Sequence, residues 1–246
     1  MPDKRHHRGP HPQDAELFAR ERWDDLRAAV SDLSWLLSRG YAQPSALKIV
    51  GDRYNLESRQ RMAVMRCACT DRQLADRTAR RVGLHTLAGK NLAIDGYNVL
   101  TTIEVALGGG VVLAARDGCY RDIASIHGTY RKVEETVPAL ELAGEVLANA
   151  DVGRCVWFLD APVSNSGRLK GIMDDVAEAR RWAWEVRIIA NPDVVLSSEA
   201  EAVVATADSV ILDRCRLWVG LAGEVVRAKV PDACVIELGV SDRVQT

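Results

Sequence analysis

The chain has 246 residues, of which 48% are hydrophobic and 27% are charged, which are ordinary values for a globular protein. This length suits one large domain or two modest ones with a sizeable core. No apolar run approaches the length that a membrane crossing needs, and no signal peptide opens the chain. We therefore expect no membrane association and a reducing, cytoplasmic location.

The formal net charge of -2 hides an asymmetry along the chain. Up to residue 90 there are 17 Lys and Arg against 11 Asp and Glu, and beyond it there are 15 against 23, which recovers the totals of 32 and 34. A basic front and an acidic rear fit a polyanion-binding module joined to a metal-binding module. Two solvated surfaces of different composition would give the same numbers.

The six cysteines form no Cys-x-x-Cys pair, which argues against a structural zinc site. The closest two, Cys67 and Cys69, have a spacing that helix packing explains better than metal binding.

The front of the chain predicts an arm followed by helices. Residues 1–13 are polar, basic and proline-containing, as in a disordered arm. Helical spacing of apolar residues then begins, Gly40 ends the first helix, Asn55 can cap a second, and Thr70 begins a third with capping-box spacing. We predict a small helical domain over residues 14–88.

The arginines of this predicted domain can line a phosphate-contacting face, or simply a solvated one. They are Arg53, Arg59, Arg61, Arg66, Arg72, Arg77, Arg80 and Arg81.

Three apolar runs in the rear part each end in an aspartate. These runs are residues 92–94 before Asp95, 155–159 before Asp160, and 202–207 before Asp208. Strands that alternate with helical patterns predict a parallel sheet with helices on both faces, in which the three acids leave the same edge. Such a cluster suits Mg²⁺ or Mn²⁺, although the usual explanation for any single strand-end acid is a helix cap.

The other rear segments complete the predicted α/β domain, residues 89–246. We expect a short hairpin near residues 111–113, an edge strand at 185–189, and final strands at 224–227 and 234–238. A short helix over 209–215 would place Asp213 near Asp208.

Two further segments are candidates for substrate contact. A helix from about Asp122 would place Tyr130 and Arg131 on a polar face, for base stacking and phosphate contact in a nuclease groove, or merely for solvation. The loop after Asp160 contains Ser164, Asn165 and Ser166. Its small hydrogen-bonding groups can hold a phosphate, although a plain turn has the same composition.

Three of these motifs carry a resemblance to a known superfamily. Ile94-Asp-Gly-Tyr-Asn98 resembles the opening motif of the PIN and NYN superfamily of metal-dependent ribonucleases. Phe158-Leu-Asp160 resembles the acid after a central strand in the NYN branch, and Thr206-Ala-Asp-Ser209 resembles the late Thr/Ser-x-Asp motif. The resemblance covers about residues 90–240 and leaves the helical front unexplained.

The resemblance implies a PIN-like Rossmannoid fold and a set of site residues. Asp95, Asp160 and Asp208 would bind Mg²⁺ or Mn²⁺, with Asp213 and Asp122 in support. The implied substrate contacts are Asn98 for water or ligand, Ser164, Asn165 and Ser166 for the scissile phosphate, and Arg131 for the flanking RNA. The family also takes an acid from a helix between the first two strands, and here Asp122, Glu134 and Glu135 are alternatives.

The function that follows is an Mg²⁺- or Mn²⁺-dependent endoribonuclease in RNA processing, with RNA as its partner and a homodimer as a possible assembly. The alternative is a non-catalytic RNA-binding or scaffold protein that retains the fold. A phosphatase is weaker, because neither Asp95 nor Asp160 begins an Asp-x-Asp pattern. The chain has no Walker-type Gly-Lys-Ser/Thr loop to support ATP hydrolysis.

Overall fold

The computed structural model describes residues 7–124 and 130–239. Its α-helices are α1 (Asp14–Leu17), α2 (Trp23–Ser38), α3 (Gln43–Arg53), α4 (Ser58–Cys67), α5 (Asp71–Arg80), α6 (Gly96–Leu107), α7 (Thr136–Asn149), α8 (Ser166–Arg180), α9 (Pro192–Ser197), α10 (Ser209–Leu212) and α11 (Leu221–Lys229). Its strands are β1 (Leu92–Asp95), β2 (Val112–Ala114), β3 (Tyr120–Asp122), β4 (Cys155–Asp160), β5 (Trp184–Ile189), β6 (Val203–Ala205), β7 (Trp218–Val219) and β8 (Val235–Glu237).

The main sheet has five parallel strands in the order β5-β4-β1-β6-β7. Its central strand β1 is apolar and buried at Leu92, Ala93 and Ile94, because a parallel strand is covered on both faces. The predicted α/β class is therefore confirmed, and β5 lies at the edge of the sheet as expected.

Helices cover both faces of this sheet. Alternate strand residues such as Trp157 and Leu159 pack against α6, α7, α8 and α11. On the opposite face, Phe158 and Val204 pack with Leu196 of α9 and with the two apolar residues that end α10. This second face, which α9 and α10 cover, carries the candidate site.

A second sheet of three strands, in the order β3-β2-β8, lies beside the first. Strands β2 and β3 form the expected hairpin, while β8 pairs in parallel with β2. The final predicted strand thus belongs to this sheet and not to the main one. The prediction of a helix from Asp122 was wrong, because Asp122 ends β3 and residues 130–135 precede α7 without being helical.

The helical front (α1 to α5) packs on the second sheet through α2, α3 and α4. Leu33 of α2 shares one apolar core with Leu113, Ile123 and Ile236 of that sheet region. The capping box at Thr70 is confirmed, with its hydroxyl accepting from the Gln73 N–H at 3.1 Å. Asn55 does not cap a helix, since Glu57 is the N-cap of α4.

Two other predictions about the rear part differ from the structure. Residues 224–227, predicted as a strand, lie inside α11, whose apolar face packs on the sheet. The two-residue strand β7 was not predicted, because so short an apolar run carries no periodicity of its own.

Residues 7–13, in the predicted arm, pack against the rest of the protein. Arg8 pairs with the fully buried carboxylate of Glu104, and its guanidinium lies 5.1 Å from the ring centroid of Tyr130. Residues 1–6 lie outside the described residues. No helix in the described ranges has both the length and the apolar character that crossing a membrane requires.

Candidate functional site

The three strand-end aspartates reach the same edge of the main sheet. Asp95 ends β1, Asp160 ends the adjacent strand β4, and Asp208 follows β6 on the other side of β1. Because all these strands are parallel, their carboxyl ends meet at one edge, which is where open α/β folds bind ligands.

The side chains also share a face of the sheet. Asp95 pairs in register with Phe158, and Asp160 lies two residues beyond Phe158 on the same strand. Side chains two residues apart on a strand point to the same side. Both carboxylates therefore point toward the face that α9 and α10 cover.

Asp95 is the most electrostatically perturbed of these acids. Burial, with a smaller contribution from the charges of Asp208 and Asp193, raises its pKa to about 7. A hydrogen bond from the Thr206 hydroxyl, at 2.8 Å, opposes the rise without cancelling it. The carboxyl group consequently takes up a proton near neutral pH in the absence of a cation.

Asp193 joins this cluster and was missed by the sequence analysis. It lies in the first turn of α9 and is the most exposed of the four acids. Partial burial and the charge of Asp193 raise the pKa of Asp160. Partial burial and the charge of Asp208 in turn raise the pKa of Asp193. The signal was present in the sequence, because Asp193 follows the apolar end of β5 by four residues, although the Asn-Pro pair before it is equally typical of a plain turn.

Asp208 is held by the start of α10. Its Oδ1 accepts from the backbone N–H groups of Val210 at 2.7 Å and Ile211 at 3.3 Å. Its Oδ2 has no hydrogen-bond donor among the described residues. One oxygen therefore orients the carboxylate while the other can face a ligand.

Asn98 and Thr206 fix the backbone that leads to Asp208. The side-chain oxygen of Asn98 accepts from the Ala207 N–H at 2.8 Å, and the Thr206 hydroxyl accepts from the Asp208 N–H at 3.0 Å. Because the side-chain oxygen of Asn98 is used in this way, its Nδ2 group is the part that can orient water or a ligand, as expected from the sequence.

Hard carboxylate oxygens of this kind suit Mg²⁺ or Mn²⁺. Within the described ranges, however, no three His, Cys, Asp or Glu side chains are arranged to hold a metal ion. The charges of Asp193 and Asp208 raise the pKa of neighbouring acids, but the four acids are not assembled into a ligand set. The chemistry of the donors fits a divalent cation, whereas binding one requires their side chains to adjust.

The loop after Asp160 makes several internal contacts, and of its three predicted phosphate contacts only Ser166 is buried. The buried Ser166 hydroxyl bonds the Asp160 carbonyl at 2.7 Å and the Tyr97 hydroxyl at 2.7 Å. The Asn165 side chain donates to the Tyr130 carbonyl at 2.9 Å. Ser164 and Asn165 are both exposed, and the Ser164 carbonyl accepts from the Tyr130 N–H.

The sequence pattern predicted that Tyr130 stacks on a base, but the side chain is buried and not accessible to one. Its ring is buried beside Tyr97, and its hydroxyl bonds Glu104 and Thr136. Arg131, the next residue, is exposed and remains available as a substrate contact.

Two of the predicted supporting acids are committed elsewhere. Asp213 accepts from Arg77 and from Gln73, each at 2.7 Å, so both of its oxygens are used. Asp122 is buried, accepts from the Thr102 hydroxyl at 3.0 Å, and lies 3.6 Å from Arg66. Neither is among the groups that perturb the pKa of Asp95.

The other two candidates for a helix acid are also accounted for. Glu135 accepts from the ring of His7 at 2.9 Å, and Glu134 is exposed beside the same ring. The fourth acid at the edge is therefore Asp193, from the helix after β5.

The eight arginines named above in the helical front all contact an acid or a backbone carbonyl of the protein. The side chains of Arg53 and Arg72 are nevertheless largely exposed, and a phosphate-contacting role for this face stays a prediction. The contacts are Arg53–Asp32, Arg59–Asp14, Arg61–Asp52, Arg66–Asp122, Arg72–Asp76, Arg77–Asp117, Arg80 with the Cys215 carbonyl, and Arg81–Glu224.

Comparisons with known proteins show the family of the chain. A model described as "Domain of unknown function (DUF5616)" matches residues 84–224, more than half of the chain, and the protein belongs to this family. A model described as "Protein of unknown function (DUF434)" matches residues 25–80 in the helical front.

One relative is the Uncharacterized protein MJ0935 of Methanocaldococcus jannaschii, 32% identical over 187 residues, which cover 76% of this chain and 88% of the relative. No solved structure matches. These matches do not speak to the PIN/NYN resemblance, which stays a prediction.

Proposed function

We propose that the protein is an Mg²⁺- or Mn²⁺-dependent endoribonuclease that hydrolyses RNA phosphodiester bonds at the carboxyl edge of the main sheet. The observation that carries the proposal is the convergence of Asp95, Asp160, Asp193 and Asp208 on one edge and one face. Like charges gathered in this way favour a bound cation, which offsets their repulsion. The PIN/NYN resemblance supports the same chemistry.

The four acids would hold the ion, and the chain's other groups would place the substrate. A bound divalent ion lowers the pKa of its water and offsets charge on a phosphate. Thr206 and the start of α10 hold Asp95 and Asp208 in place. The exposed side chains of Arg131 and Ser164, joined through the hydrogen bond between residues 130 and 164, are the candidate phosphate contacts.

The test is cleavage of end-labelled RNAs with Mg²⁺, Mn²⁺ or EDTA. We expect internal cleavage with either ion and none with EDTA. Asp95→Asn and Asp160→Asn should each lower the rate by roughly two orders of magnitude or more, because each removes a charge that supports the ion. Asp175→Asn is the matched control, since Asp175 is exposed on α8, and it should cleave like the wild type.

Failure of cleavage with every divalent ion, together with retained RNA binding, would support the non-catalytic alternative. Equal activity of the wild type and Asp95→Asn would exclude the acidic edge as the active site.

A further inference from the structure

A buried ionic network lies behind Asp208 and is not used by the proposed chemistry. Arg77, Asp117 and Arg121 are each at most 6% exposed. Arg121 binds Asp117 through two parallel hydrogen bonds of 2.8 and 2.7 Å, and Arg77 donates to Asp117 at 2.6 Å. One carboxylate thus holds two guanidinium groups in fixed orientations.

Both arginines reach the backbone on either side of Asp208. The Nε of Arg121 donates to the Ala207 carbonyl at 2.8 Å, and an Nη of Arg77 donates to the Ser209 carbonyl at 3.3 Å. These carbonyls belong to the residues immediately before and after Asp208. The network therefore fixes the backbone on both sides of Asp208 from elements other than β6 and α10.

The network joins two separate parts of the chain. Arg77 lies on α5 of the helical front, Asp117 in the β2–β3 turn and Arg121 on β3. Gly118 takes a φ of +77° in that turn, a conformation that other residues rarely adopt. The tight turn brings Asp117 back toward Arg121, four residues further on.

We infer that Arg77 and Arg121 are positioning residues for Asp208, and that the helical front serves to complete the acidic edge. The inference rests on the proposed function for its catalytic meaning. Helix α10 has only four residues, and so short a helix is not stable by itself, so the two arginines add anchorage to the hydrogen bonds that its start makes with Asp208. Residues that orient metal-binding side chains typically change metal affinity 10- to 100-fold when substituted.

The test uses Arg77→Lys and Arg121→Lys, which keep the charge but lose the planar fork. Arg80→Lys is the matched control, because Arg80 lies on the same helix and donates to the Cys215 carbonyl at 2.7 Å, beyond α10. Two quantities are measured: the amide NMR resonances of Ala207, Asp208 and Val210, and the affinity for Mn²⁺ by electron paramagnetic resonance.

We expect both variants to shift the three resonances, which report the hydrogen bonds around Asp208, and to weaken Mn²⁺ binding at least about tenfold. Arg80→Lys should leave both unchanged. Asp213→Asn is a milder variant if the lysine variants do not fold, because it removes only the partly exposed partner of Arg77. It should shift the same resonances less.

The two proposals fail in different ways. A wild type that binds no Mn²⁺ and cleaves no RNA contradicts the proposed function. The resonances then still test whether Arg77 and Arg121 position Asp208. Folded variants whose Asp208 resonances and Mn²⁺ affinity match the wild type overturn the positioning inference, as does Arg80→Lys having the same effect as Arg77→Lys.

Discussion

At the scale of single residues, ionisation of the Asp95 carboxyl group destabilises the folded protein. Its pKa in the folded protein is about 7, because burial and the charges of Asp208 and Asp193 disfavour the anion. In the unfolded chain the same group titrates near 3.8. Between these two values the folded state keeps a proton that the unfolded state has lost.

The free energy of unfolding should therefore fall as the pH rises from about 4 to about 7, by at most about 4 kcal/mol. Asp95→Asn cannot ionise, so its stability relative to the wild type should increase over that window. Urea unfolding at pH 5 and pH 8 in EDTA measures the difference. Asp175→Asn is the control, and an Asp95→Asn variant with the same pH dependence as the wild type would contradict the assignment.

At the scale of elements, the passage from β1 into α6 positions the site. Asp95 is the last residue of the strand and Gly96 the first of the helix, with no loop between them. A Cβ atom on Gly96 would lie 2.8 Å from the Phe158 carbonyl oxygen and 2.7 Å from a methyl of Leu159. The helix can follow the acid this closely only because residue 96 has no side chain.

Gly96→Ala should consequently lower the free energy of unfolding by about 1–3 kcal/mol, because the backbone of β4 cannot move aside. Gly167→Ala is the matched control, since Gly167 is the second residue of α8, the helix that follows β4, and a Cβ there meets no atom within 4 Å. That variant should be neutral or slightly stabilising. Chemical denaturation measures the free energy of unfolding of both variants. Equal values for Gly96→Ala and Gly167→Ala would contradict the prediction, because they would mean that the close contact at Gly96 relaxes.

At the scale of the whole molecule, the helical front and the second sheet share one apolar core. The apolar core of α2 to α4 includes Leu113 of β2 and Ile236 of β8. Arginines of the front also bind groups in the rear, as Arg80 binds the Cys215 carbonyl. Shared burial of this kind predicts a single cooperative transition.

Leu33→Ala should test this, because Leu33 is fully buried in α2. We expect a loss of about 2–5 kcal/mol, with one calorimetric transition moving as a whole. Val194→Ala, at a residue that is 60% exposed, should have little effect. Two transitions, of which only the first moves, would mean that the front unfolds independently.

The sequence alone determined the parallel sheet and three of the four edge acids. Apolar runs that end in Asp95, Asp160 and Asp208 are local patterns, and the rule that parallel strands end at one edge brings them together without knowledge of packing. The capping box at Thr70 is local in the same sense.

Only the tertiary structure decided which other polar groups face the site. Asp213 is one helical turn from Asp208, yet it pairs with Arg77, 136 residues away, and Tyr130 is buried against Glu104. A charged or aromatic side chain has the same sequence pattern whether it faces solvent, substrate or a distant partner. Its partner is chosen by packing between segments far apart in the chain, and no local spacing records that choice.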